Sequence, residues 1–159
     1  MPDEFAVIAQ RGDGLAGRLT AGFTDVDDDA IVIAMDTPQV RSERLALAPR
    51  ALQSSHDTVF GPATDGGFWL LGLRRAIDAA AVFDGIPMST ADTGVAQLER
   101  LRGLGLTTLM LEPLRDIDTI DDMLAVAAAH PDSSLGRLVA RIRPATVERR
   151  STYSRPVAG

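Results

Sequence analysis

Four aspartates stand in stretches where an acid can do chemistry: Asp36 in "IAMDTPQV", Asp65 in "GPATDGGFWL", and Asp116 and Asp118 in "EPLRDIDT". Carboxylate oxygens are the preferred ligands of hard divalent cations such as Mg2+ and Mn2+. A carboxylate beside a reacting hydroxyl can instead orient it or take its proton. Each acid taken alone also has an ordinary use. Asp36 before Thr37-Pro38 can start a turn, and Asp118-Thr119 can cap a helix N-terminus. Asp65 is set apart by Gly66 and Gly67 behind it. Two glycines open the backbone either for a plain turn or for close approach of something else.

The elements that must position these acids alternate along the chain. Strands are expected at Phe5–Ala9, Ile31–Met35, Thr58–Phe60, Phe68–Leu73 and Thr107–Leu111. Helices are expected from about Leu15 to Phe23, from Ser42 to about Gln53, at Ala76–Phe83, and from Asp92 to Leu101. Thr119 caps a further helix ending near His130-Pro131, and Ser133 starts the last one. Ile31–Met35 is nearly all apolar and reads as buried on both faces.

Strands alternating with helices give an α/β fold with a mostly parallel sheet, and in such sheets ligands bind beyond the carboxyl ends of the strands. Asp36, Asp65 and the pair Asp116 and Asp118 all follow strands, so they belong to that rim. The run "DVDDD", Asp25 to Asp29, precedes a strand and reads as a solvated connecting loop at the opposite rim. His56 and His130 read as structural, and Trp69 as core or rim packing.

The 159 residues suit one domain, expected over residues 1–143, with a polar and aperiodic tail over 144–159 expected to be disordered. A net charge of -6 argues against nucleic acid and anionic membranes as partners. No apolar run is long enough for membrane insertion, and no basic leader follows Met1, so a cytoplasmic protein is expected. The absence of cysteine removes thiolate catalysis and zinc–sulfur sites. All 16 basic residues are arginine, which removes Schiff-base and phosphate-loop lysines within this chain. "QRGDGLAGRL" places Arg11, Gly12 and Gly14 before a helix, where a phosphate can be held, although the same pattern is ordinary helix entry.

In order and spacing, "IAMDTPQV", "VFGPATDGGFWLLGLRR", "GIPMSTADTG" and "LRDIDTIDDM" resemble a bacterial family of unknown function grouped with the GT-A glycosyltransferases, and more closely its actinobacterial branch. The resemblance covers roughly Phe5 to Pro144. It implies a GT-A-like, Rossmann-like sheet with flanking helices and a nucleotide-sugar or nucleoside-triphosphate substrate. A small-molecule acceptor and Mg2+ or Mn2+ as cofactor are implied with it. By the same resemblance Asp36 and Asp118 would bind the metal, with Asp121 nearby, and Asp65 would orient the acceptor or act as a base. Gly66 and Gly67 would form a substrate-facing turn, and Ser89 and Thr90 a polar wall of the acceptor pocket.

The sequence departs from that family at its start, where a strand, a basic loop and a helix that hold the nucleotide are missing. A start codon assigned too late, a shortened gene and a chain that has lost catalysis each account for this. The leading expectation is a metal-dependent transferase of a glycosyl or nucleotidyl group from an activated nucleotide donor. The alternative is a non-catalytic binding module descended from one, whose exposed sheet edge would favour homodimerisation or instability.

Overall fold

The structure, a computed structural model, describes residues 6–151, with side chains through residue 142. Packing divides the chain into two compact units, Met1–Met35 with Val40–Asp116, and Asp36–Gln39 with Ile117–Gly159.

The first unit holds a four-stranded sheet of β1 (Ala30–Ile33), β2 (Thr58–Pro62), β3 (Phe68–Leu73) and β4 (Thr108–Met110), in the order β1-β3-β2-β4. β2 and β4 are parallel, whereas β3 runs against both β1 and β2. The sheet is therefore mixed, which corrects the expectation of a mostly parallel one. Strands β1, β2 and β4 do share a direction, but β3 lies between β1 and β2. The cause is local. The loop joining β2 to β3 is too short for a crossover, so only an antiparallel hairpin can form.

Alternation of side chains sends neighbouring strand residues to opposite faces. Val59 and Leu70 pack with Ala48, Ala51 and Leu52 of α3 (Leu47–Ser54), which follows the single turn α2 (Ser42–Leu45). Phe60 and Leu71 pack with Val82 and Phe83 of α4 (Ala79–Phe83) and Leu101 of α5 (Thr93–Gly103). Helix α1 (Gly14–Val26) turns Ala16, Leu19 and Phe23 inward, and the Phe23 ring lies 5.6 Å from that of Phe83. Each large apolar side chain buried in this way contributes about 1.5–3 kcal/mol.

The second unit pairs α6 (Ile120–Ala129) with α7 (Ser134–Ser151). Thr119 starts α6 with a capping box: its hydroxyl accepts from the Asp122 N–H at 3.2 Å, and the Asp122 carboxylate accepts from the Thr119 N–H at 3.0 Å. The Ser133 hydroxyl accepts from the Gly136 N–H at 2.9 Å and so caps α7.

Two further expectations change. Residues 6–9 form no strand, and Val7 and Ile8 are exposed, while Phe5 lies outside the described residues. A strand forms only where a neighbour satisfies its backbone groups, and none lies beside this segment among the described residues. β1 is an edge strand and not one buried on both faces, so Ile33 is 42% exposed and Met35 fully so. The described backbone of α7 runs to Ser151, and residues 152–159 of the expected tail lie outside the described residues.

Candidate functional site

In the second unit the Ile117 N–H donates to the Asp36 carbonyl at 3.0 Å, tying the 36–39 segment to the chain that enters α6. This bond brings Asp36 and Asp118 together. Both side chains are exposed, and their carboxylate oxygens lie within 4.8 Å of one another. Two oxygens that share one small divalent ion stand roughly 4 Å or less apart, so a separation of this order suits a shared cation. Neither carboxylate has a hydrogen-bond or ion-pair partner among the described residues. Thr119, not Asp118, supplies the helix cap, which leaves the Asp118 oxygens unused by the fold. Two unpartnered carboxylates this close repel, and a cation removes the repulsion.

The donor set is all oxygen, as Mg2+ and Mn2+ prefer. Beside Asp36 in sequence, Thr37 is buried and its hydroxyl has no hydrogen-bond partner among the described residues. Such an orphan suits a site water. Asp121 lies in the first turn of α6, where a carboxylate complements the helix N-terminus, and does not join the pair.

The first unit holds the other candidates. Asp65 follows β2 and is exposed; its Oδ1 accepts from the Gly67 N–H at 2.8 Å. Gly66 has φ +97°, and a Cβ there would stand 2.0 Å from the Ala91 carbonyl oxygen. The space is held by the protein's own backbone, so the glycine serves chain-on-chain packing where the sequence suggested ligand approach. At Gly67 a Cβ would meet Asp65 Oδ1 at 3.2 Å. Ser89 sits in the left-handed region with φ 59°, a conformation that costs a non-glycine residue about 1 kcal/mol or more. Ser89 and Thr90 are both exposed on the loop whose Ala91 meets Gly66, so this loop and the Asp65 turn lie against each other.

Arg11 is exposed, and its guanidinium grips the Asp25 carboxylate, with Nε to Oδ2 at 3.0 Å. That bond holds the Asp25 carboxyl below its ordinary range and raises the Arg11 pKa. Gly12, at φ +103°, packs against Gly17, whose oxygen would be 2.4 Å from a Cβ. Gly14 is the first residue of α1 and has open space around it.

At the other rim, Asp27 ends α1 and forms a double bond-pair with the Arg75 guanidinium, both contacts at 3.0 Å. Asp29 accepts from the Arg75 N–H at 2.9 Å. The acidic run is thus a tie to the end of β3 and not a solvated loop alone. Trp69 is fully buried, and its indole N–H donates to the Glu112 carbonyl at 3.1 Å.

Sequence reasoning passed over Asp57, Thr93 and Gly94. The Asp57 carboxylate accepts from both the N–H and the hydroxyl of Thr107, at 2.9 and 2.6 Å, and these bonds hold its carboxyl below the ordinary range. Thr93 and Gly94 fasten the Ser89 loop to the Asp65 turn. A threonine followed by glycine at the expected start of a helix was the available signal, but only the long-range contact gives it meaning.

This α/β arrangement has solved counterparts. Over 89% of its length the chain is similar to a crystal structure named as a "putative nucleotide-diphospho-sugar transferase" from Desulfovibrio desulfuricans G20, with 28% identity and a TM-score of 0.78. The match covers 64% of that protein, so the chain spans less than two thirds of the length of this neighbour. The fold therefore defines a nucleotide-diphospho-sugar-transferase-like domain. By sequence the chain belongs to the family described as "Uncharacterized protein conserved in bacteria (DUF2064)", whose profile matches residues 1–90. No curated protein matches it.

Proposed function

We propose that the chain is part of a metal-dependent transferase that moves a glycosyl or nucleotidyl group from an activated nucleotide donor to a small-molecule acceptor. One observation carries the reading: Asp36 and Asp118 are exposed, lie within 4.8 Å, and are used by nothing else among the described residues. Kinship to the Desulfovibrio protein supports a nucleotide donor. Asp36 and Asp118 would hold Mg2+ or Mn2+. Such an ion, when bound, neutralises a diphosphate and stabilises its departure.

Asp65 has one oxygen fixed by the Gly67 N–H, which leaves the second to orient an acceptor hydroxyl or take its proton. Ser89 and Thr90 would add hydroxyls to the acceptor wall. Arg11, Gly12 and Gly14 would meet the nucleotide at the start of α1, and a phosphate there has to displace Asp25 from Arg11. Titration calorimetry with UDP-, GDP- and ADP-glucose, in Mn2+ and in EDTA, tests the reading. One nucleotide sugar should bind at least tenfold more tightly with Mn2+, and Asp118→Asn should abolish the difference. Binding of none would leave the non-catalytic module.

A further inference from the structure

We propose that Thr93 and Gly94, the first two residues of α5, are positioning residues that hold Asp65, Ser89 and Thr90 as one fixed wall. The first turn of a helix has N–H groups without helical partners. The Gly94 N–H donates to the Gly66 carbonyl at 2.7 Å, so the Asp65 turn satisfies the start of α5. The fit is reciprocal. A Cβ on Gly94 would stand 2.6 Å from the Gly67 oxygen, and one on Gly66 would stand 2.0 Å from the Ala91 oxygen. Both obstacles are backbone atoms, which cannot swing aside as a side-chain end can.

Thr93 acts inside the loop. It is 4% exposed, its hydroxyl donates to the Pro87 carbonyl at 2.7 Å, and the same oxygen accepts from the Thr90 N–H at 3.0 Å. These bonds span Ser89 and brace its left-handed backbone. Helix α5 is itself anchored: Gln97 and Leu101 are fully buried, and the Gln97 amide donates to the Val82 carbonyl at 3.0 Å. Order thus passes from the core through α5 to Gly94, to the turn, and to the Gly67 N–H that fixes Asp65. The wall is built before any ligand arrives, and preorganised groups spend less binding energy on ordering. That this wall faces the sugar or acceptor rests on the function proposed above; the lock itself does not.

Two measurements separate these claims. In 15N-labelled protein, Thr93→Val should shift the Ser89, Thr90 and Asp65–Gly67 amide resonances. It should also speed hydrogen exchange at Thr90 and Gly94 at least tenfold, and Thr93→Ser should restore both. A folded Thr93→Val protein whose Asp65–Gly67 resonances stay in place overturns the lock. Gly94→Ala should move the same resonances, and the Thr93 pair decides should that variant fail to fold.

The second measurement compares UDP, GDP and ADP with their glucose conjugates in Mn2+. Thr93→Val should lose at least tenfold of the preference for the conjugate while diphosphate affinity stays within twofold. Equal loss for both, or loss for neither, would make Thr93 merely structural and overturn its positioning role. Wild-type protein without such a preference contradicts the proposed function and the wall's orientation, and leaves the resonance test to judge the lock.

Discussion

A Cβ at Gly66 would stand 2.0 Å from the Ala91 carbonyl oxygen, on a backbone already at φ +97°. Gly66→Ala should therefore cost roughly 2 kcal/mol or more in folding, before any ligand is considered. At this chain length that lowers Tm by roughly 4–8 °C in a thermal melt, and an unchanged Tm would contradict the packing. Asp57 offers a second test. Its carboxyl lies below the ordinary range because Thr107 donates two hydrogen bonds to the ionised form, so the bonds stabilise the protein at neutral pH. That stability is present above the unfolded value of ~3.9 and is lost as pH falls through the lower folded value. Asp57→Asn should flatten the decline in Tm below about pH 4, relative to wild type. A decline of equal slope in both proteins would refute the assignment.

At the scale of elements, the capping box at Thr119 predicts that Thr119→Ala costs about 1 kcal/mol in urea unfolding, while Thr119→Ser is nearly neutral. Equal losses in both variants would mean that the hydroxyl does not cap α6. This cap was legible because its partners are three residues apart, and strands β2 and β3 were legible as apolar runs on either side of a turn, though not as an antiparallel pair. Sheet order was not. Whether a strand is central or at an edge depends on pairings between distant segments, so "IVIAM" reads as buried although β1 lies at an edge. The same limit hid Gly94, whose use is visible only once Gly66 is seen against it. Asp36 and the pair Asp116 and Asp118 could be picked out from their places after strands, and the family resemblance singled out Asp118 from that pair. Their closeness depends on a backbone bond between Asp36 and Ile117 that no local pattern announces.

For the whole molecule, the single tryptophan gives a direct probe, because Trp69 is fully buried with its N–H bonded to Glu112. Its emission should be blue-shifted and resistant to iodide quenching, and exposed-type emission would contradict this packing. The central claim is that Asp36 and Asp118 form one cation site in a transferase-like domain, and its most direct test is Mn2+ binding. Calorimetry of the full chain with MnCl2 should give one site per chain. The affinity should fall at least tenfold in Asp36→Asn and in Asp118→Asn, and Asp121→Asn should bind as wild type does. Mn2+ affinity unchanged by both of the first two substitutions, in proteins that melt as wild type does, would contradict the account.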